Sequence, residues 1–165
     1  MKKIIGTFLT LGILFVSCSK DAAAGDLNPK DSIIGLWELT NYMVDAEAVG
    51  TYQNLGEDIL NKLTAEDCVL VAFEFKDDET MTSESGVNFL QVNSGPNGLD
   101  VSCPSQKNIV TYSYSYANGM LTLKNGTIVA VSVAASIDGN TMTVDAEGLD
   151  FPNFNTPGEL VFTKK

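Results

Sequence analysis

The stretch NIVTYSYSYANGMLTLKNGTIVAVSVAASIDGNTMTVDAE, residues 108–147, decides the fold. Within it Tyr112, Tyr114 and Tyr116 alternate with Ser113 and Ser115, the period-two pattern of a strand. Asn118-Gly119 follows, and Asn-Gly is a strong hairpin signal because both residues tolerate positive φ. Met120 to Lys124 returns, Asn125-Gly126 turns again, and Thr127 to Ile137 runs out. Asp138-Gly139-Asn140 makes a third turn, into Thr141 to Glu147. Strands joined by such tight turns are antiparallel neighbours.

Outward from this core the same punctuation continues. Upstream lie Ile33 to Val44, Cys68 to Phe75 and Thr80 to Val92; downstream lies Glu159 to Thr163. In the second of these, Val69, Val71, Phe73 and Phe75 face one way and Leu70, Ala72 and Glu74 the other. The total is eight strands, so the fold class is all-β. Eight antiparallel strands close into an up-and-down barrel, wide enough for packed side chains or one small ligand. Closure also removes the sheet edges that recruit other strands. One segment departs from the pattern. Leu55, Ile59, Leu60 and Leu63, within Asn54 to Asp67, are spaced for one face of a helix. This short helix falls between strands one and two, either packed in place or acting as a mobile lid.

Residues 32–165 thus form one barrel domain. The chain ahead of it reads differently. Lys2 and Lys3 precede an apolar run, Ile4 to Val16, closed by Ser17-Cys18. A charged start, a short apolar run and a small residue before a cleavage site make a secretory signal peptide. The apolar run is about 20 Å long as a helix, short of the roughly 20 residues that a membrane span needs. Residues 1–17 are the signal, and 18–31 are a small, polar tether.

Composition excludes several functions. The 165 residues carry a formal charge of −11 with no His and no Arg, and removal of Lys2 and Lys3 takes this to −13. No basic stripe for a phosphate backbone can form, which excludes nucleic acid. Without His, Ser-His-Asp and Cys-His catalysis are out, as are imidazole-rich zinc sites. No metal or cofactor is implied. Two carboxylates can hydrolyse a glycoside, but the acidic residues here are scattered over turns. The chain is therefore read as non-catalytic and monomeric. Cys68 and Cys103 remain after Cys18. In an oxidising compartment they pair, stabilising the fold by roughly 4 kcal/mol through chain entropy; the rival reading is two buried thiols.

Two resemblances give this layout a context. Leu14-Phe15-Val16-Ser17-Cys18 resembles a bacterial lipobox, with Phe15 where Leu is usual, which implies lipidation of Cys18. Ser19-Lys20-Asp21 resembles the surface-export signal of Bacteroidetes lipoproteins, implying an outer-membrane anchor with the domain facing outward. Asp31-Ser32-Ile33 matches the O-glycosylation pattern of that group, which makes Ser32 a glycan candidate. Within the domain, Ile34-Gly35-Leu36-Trp37-Glu38-Leu39 carries Gly-x-Trp in strand one. With Cys68, Phe75 to Thr80, Cys103 and Tyr114 to Leu123, it resembles the lipocalin-like domain lipoproteins of Bacteroidetes over about residues 32–164. The resemblance implies a calycin-type barrel that binds a small hydrophobic or amphiphilic molecule. This chain departs from it in having no Arg to sit on Trp37, a role left to the stem of Lys164. It also has Asp78-Glu79-Thr80 where Asp-Gly-Thr is common, and Tyr114 where Trp is common.

The candidate ligand contacts are Trp37, Tyr112, Tyr114, Tyr116, Phe151 and Phe154. The tyrosine row offers apolar rings with hydroxyl tips, a good lining for an amphiphile; its other reading is wall packing. Phe151 and Phe154 either contact a partner or plug a barrel end. The sixth strand has a large face, Val129, Val131, Val133 and Ile137, and a small face, Ile128, Ala130, Ser132, Ala134 and Ser136. Small face inward makes a hollow lumen; large face inward makes a filled one. In the filled case the expectation is an accessory lipoprotein acting on another envelope protein. Residues 93–100 are expected to be a long flexible loop at the rim.

Overall fold

A computed structural model describes residues 32–45, 55–96 and 98–165. The signal and tether, with Cys18, lie outside the described residues. Among the described residues ten strands and two helices follow in order: β1 (Gly35–Val44), α1 (Leu55–Ala65), β2 (Val71–Phe75), β3 (Thr80–Ser85), β4 (Gln91–Gly95) and β5 (Gly98–Ser102) come first. They are followed by β6 (Asn108–Ala117), β7 (Met120–Asn125), β8 (Ile128–Asp138), β9 (Thr141–Asp145), α2 (Ala146–Leu149) and β10 (Gly158–Lys164). Eight strands close a barrel in the order β1-β10-β9-β8-β7-β6-β3-β2, every neighbour antiparallel. The all-β barrel with a helix between its first two strands is the expected fold.

Two expectations change. The strand expected over Thr80 to Val92 ends at Ser85, because Gly86 turns into the helical region and Val87–Phe89 form a 3₁₀ turn. The described residues of the segment expected as a flexible loop lie instead in or beside a separate two-stranded sheet, β4 paired with β5 from Gln91↔Ser102 to Gly95↔Gly98. These strands lie outside the barrel, so the barrel still counts eight.

The interior is packed. Trp37, Leu39, Val71, Phe73, Phe75, Met81, Leu121, Leu123, Val133, Met142, Val144, Leu160 and Phe162 are all buried and belong to one cluster. The Phe73 and Phe162 rings stack at 4.7 Å, and Phe75 meets Tyr114 edge-on at 4.9 Å. On β8 the large face points inward, with Val133 and Ala135 buried and Val131 and Ile137 partly so. Val129 is the exception. A bulge sets Val131 opposite Leu123 but Val129 opposite Lys124, so Val129 shifts to the outer face and is 54% exposed.

The two ends of the barrel differ. At the far end are the chain entry and the tight turns after β2, β6 and β8. There Trp37 donates its indole N–H to the Ile33 carbonyl at 2.7 Å, and the Lys164 ammonium stands 5.2 Å above its ring. Gly35, at φ +131°, leaves room for that lysine: a Cβ there would lie 2.8 Å from Lys164 Cε. At the other end, the mouth, α1 buries Ile59, Leu60 and Leu63. Phe154 is fully buried against Tyr42, with ring centroids 5.7 Å apart. Gly56 permits this seat, since a Cβ there would strike the Asn153 carbonyl and the Tyr42 ring.

Candidate functional site

The register shows which residues the mouth gathers. Phe73 faces inward and pairs with Ser83, which pairs with Val110; Met81 pairs with Tyr112, and Leu123 with Val131. Directly paired residues share a sheet face. Ser83, Val110, Tyr112 and Val131 are therefore inward positions on β3, β6 and β8. Unlike the inward residues deeper in the barrel, they keep partial exposure, and Val110 is 37% exposed. Ile128, at the lip of β8, is 72% exposed, and Ile109, beside Val110 on β6, is 66% exposed. On this side of the mouth the inward rows pass from buried Phe73, Tyr114 and Leu123 to partly exposed positions.

The tyrosine row divides along its length. Tyr114 is buried, and its hydroxyl donates to the Lys76 carbonyl at 2.9 Å. Tyr116 lies toward the far end, donates to the Ala135 carbonyl at 3.3 Å, and has its phenol pushed up in pKa by burial. Tyr112 alone of the three reaches the mouth, and its hydroxyl meets no partner among the described residues. Its ring joins Val110 and Val131 as apolar wall, with the hydroxyl as a polar tip. That combination of apolar wall and sparse polar tips is what small-molecule sites use.

The remaining candidates lie elsewhere. Trp37 is fully buried at the far end. Phe154 is a plug at the α1 side of the mouth, and Phe151 is half-buried against the core. Tyr42, which Phe154 covers, donates to the Thr156 carbonyl at 2.7 Å; burial pushes its phenol up, and the bond to Thr156 opposes that shift. Ser32 lends its carbonyl to the Lys164 ammonium at 3.0 Å. Sequence reasoning passed over Ser83, Val110 and Val131 as binding residues. Alternation alone marks them as inward but cannot say how far up the wall the packing stops.

Cys68 and Cys103 are joined in a disulfide, with Cα atoms 5.8 Å apart. Among the described residues no charged side chain is buried and no cluster of Asp, Glu or Cys is arranged to hold a metal. A cleft of about 630 Å³ lies between α1 and the β4–β5 pair, lined by Leu55, Asp58, Lys62, Ser94 and Leu99 among others. No protein-family model matches the chain, and no curated protein matches it.

Proposed function

We propose that this chain is a lipid-anchored, non-catalytic outer-membrane protein whose barrel binds a small amphiphile at its mouth rather than deep in its lumen. The carrying observation is the contrast along the inward rows. Below Tyr112 the barrel is packed with aromatic and aliphatic side chains; at Ser83, Val110, Tyr112 and Val131 the inward faces stay partly exposed. A ligand there would lie against Val110, Val131 and the Tyr112 ring, with its polar end at the Tyr112 and Ser83 hydroxyls. The anchor at Cys18 rests on the lipobox resemblance.

Native mass spectrometry of residues 19–165, purified gently from a native host or periplasm, tests this. A small molecule should remain bound, leave on denaturation, and be missing from Val110→Asp at unchanged melting temperature. A bare mass after incubation with host lipid and small-molecule extract overturns the reading. It would favour the second one, an accessory protein whose filled barrel contacts an envelope partner. The observation on that side is the outer lip, where Ile109, Ile128 and Val129 are each more than half exposed.

A further inference from the structure

The β4–β5 pair joins β3 to β6, the strands that form one wall of the mouth, yet pairs with no barrel strand. What holds it is all on the other side. Its packing partner is α1. Val101 is its one buried residue, with Val92 and Leu99 partly buried beside the core. The Lys62 ammonium, from α1, donates to the Leu99 carbonyl. The disulfide ties Cys103, just past β5, to Cys68, just past α1. Beyond these ties the two units diverge around the cleft of about 630 Å³. The pair is thus a strap fastened at its base.

The geometry points to a redox latch: the Cys68–Cys103 bond holds the β4–β5 strap against α1, and its reduction frees the strap while the barrel stays closed. Cys103 is exposed and Cys68 is buried, so an incoming thiolate reaches the Cys103 sulfur. A dithiol, small or protein-borne, attacks there. A mixed disulfide forms at Cys103, and the Cys68 sulfur leaves as thiolate and takes a proton. The second thiol of the attacker then displaces Cys103, leaving two cysteine thiols and an oxidised dithiol. The barrel is held by its own ladders, none of which includes β4 or β5, and by a core to which the pair gives Val101, with Val92 and Leu99 at its edge. The strap without its bond keeps one buried valine, two half-buried apolar residues and a surface lysine contact. That is too little apolar burial to order some twelve residues, each of which loses about 1–2 kcal/mol of backbone entropy on fixing.

The test is nuclear spin relaxation of the folded 19–165 protein before and after reduction in place with tris(2-carboxyethyl)phosphine. In the oxidised form, order parameters over 91–102 should match the barrel strands. After reduction they should fall below about 0.6, the flexible range, with β1–β3 and β6–β10 resonances unshifted. Cys68→Ser with Cys103→Ser should reproduce the reduced spectrum. An ordered strap after reduction overturns the latch. Loss of dispersion across the whole barrel on reduction of the folded protein overturns it as well, since the bond would then hold the fold and not the strap.

Discussion

Trp37 shows how a buried indole is satisfied in a chain that has no Arg. Its N–H finds the Ile33 carbonyl, and its face finds Lys164, whose ammonium also donates to the Ser32 carbonyl. The lysine thus closes the chain entry and caps the core at once, which is the packing expected from the sequence in the absence of any Arg. Lys164→Ala should destabilise the fold by about 1–2 kcal/mol, the sum of a partly desolvated cation–π contact and a hydrogen bond. Lys164→Arg should hold stability near the starting level. Urea midpoints at constant slope would measure both. A second residue reports pH. Asp78 accepts from the Thr80 hydroxyl at 2.6 Å and from the Thr80 backbone N–H at 2.9 Å, bonds that hold its carboxyl below the usual carboxylate range. A depressed folded pKa adds stability above the unfolded carboxylate value of about 3.9 and withdraws it as pH falls through the folded one. The stability difference between wild type and Asp78→Ala should therefore be constant at neutral pH and shrink below about pH 4. A difference that grew on acidification would contradict that sign.

At the scale of elements, α1 and the far-end turns were legible because their signals are local. Leu55, Ile59, Leu60 and Leu63 announce a helical face, but only the last three are buried; Leu55 is 45% exposed. Leu63→Ala should destabilise by about 2–5 kcal/mol. Leu55→Ala should stay within roughly 0.5 kcal/mol. Thermal melts distinguish the two, and equal effects would mean α1 is seated differently. What stayed illegible depends on contacts between distant residues. Gly86 could have been a bulge or a break, and the break arises where Pro104 lies close by: a Cβ on Gly86 would approach its ring at 3.2 Å. Residues 93–100 carry Gly, Pro, Asn and Ser in the proportions of a loop. Gln91–Gly95 and Gly98–Ser102 nonetheless pair as strands, with the disulfide and Val101 tying them to α1 and the core. The face of β8 was an open choice, since both faces are aliphatic or small. The core settled it, and the bulge near Val129 reversed one residue that alternation had placed inside. The tyrosine row was legible as a face, but its division into core, wall and mouth depends on where Phe75 and the Lys76 carbonyl lie.

For the molecule as a whole, charge and closure bear on the proposed anchoring. With a formal charge of −11, the chain is repelled by anionic headgroups. Its described ion pairs, Glu38–Lys165 at 3.0 Å, Glu74–Lys76 at 3.5 Å and Glu84–Lys107 at 3.6 Å, neutralise three surface lysines without creating a basic face. None of the described helices is long and apolar enough to cross a membrane, and the barrel turns its apolar residues inward and mostly polar ones outward, the reverse of a barrel that faces lipid. In the proposed function attachment would come from acyl chains on Cys18, each buried methylene contributing about 0.8 kcal/mol, with more than one chain needed for a lasting hold. Cys18→Ser, expressed in a host that processes lipoproteins, should move the protein from the detergent phase to the aqueous phase in a phase-separation assay. The barrel should keep the same melting temperature, because residue 18 precedes the domain that starts at Ser32. Equal partitioning of wild type and variant would place the membrane contact on the barrel itself. The first residues to exchange for charge would then be Ile109, Ile128 and Val129 at the lip.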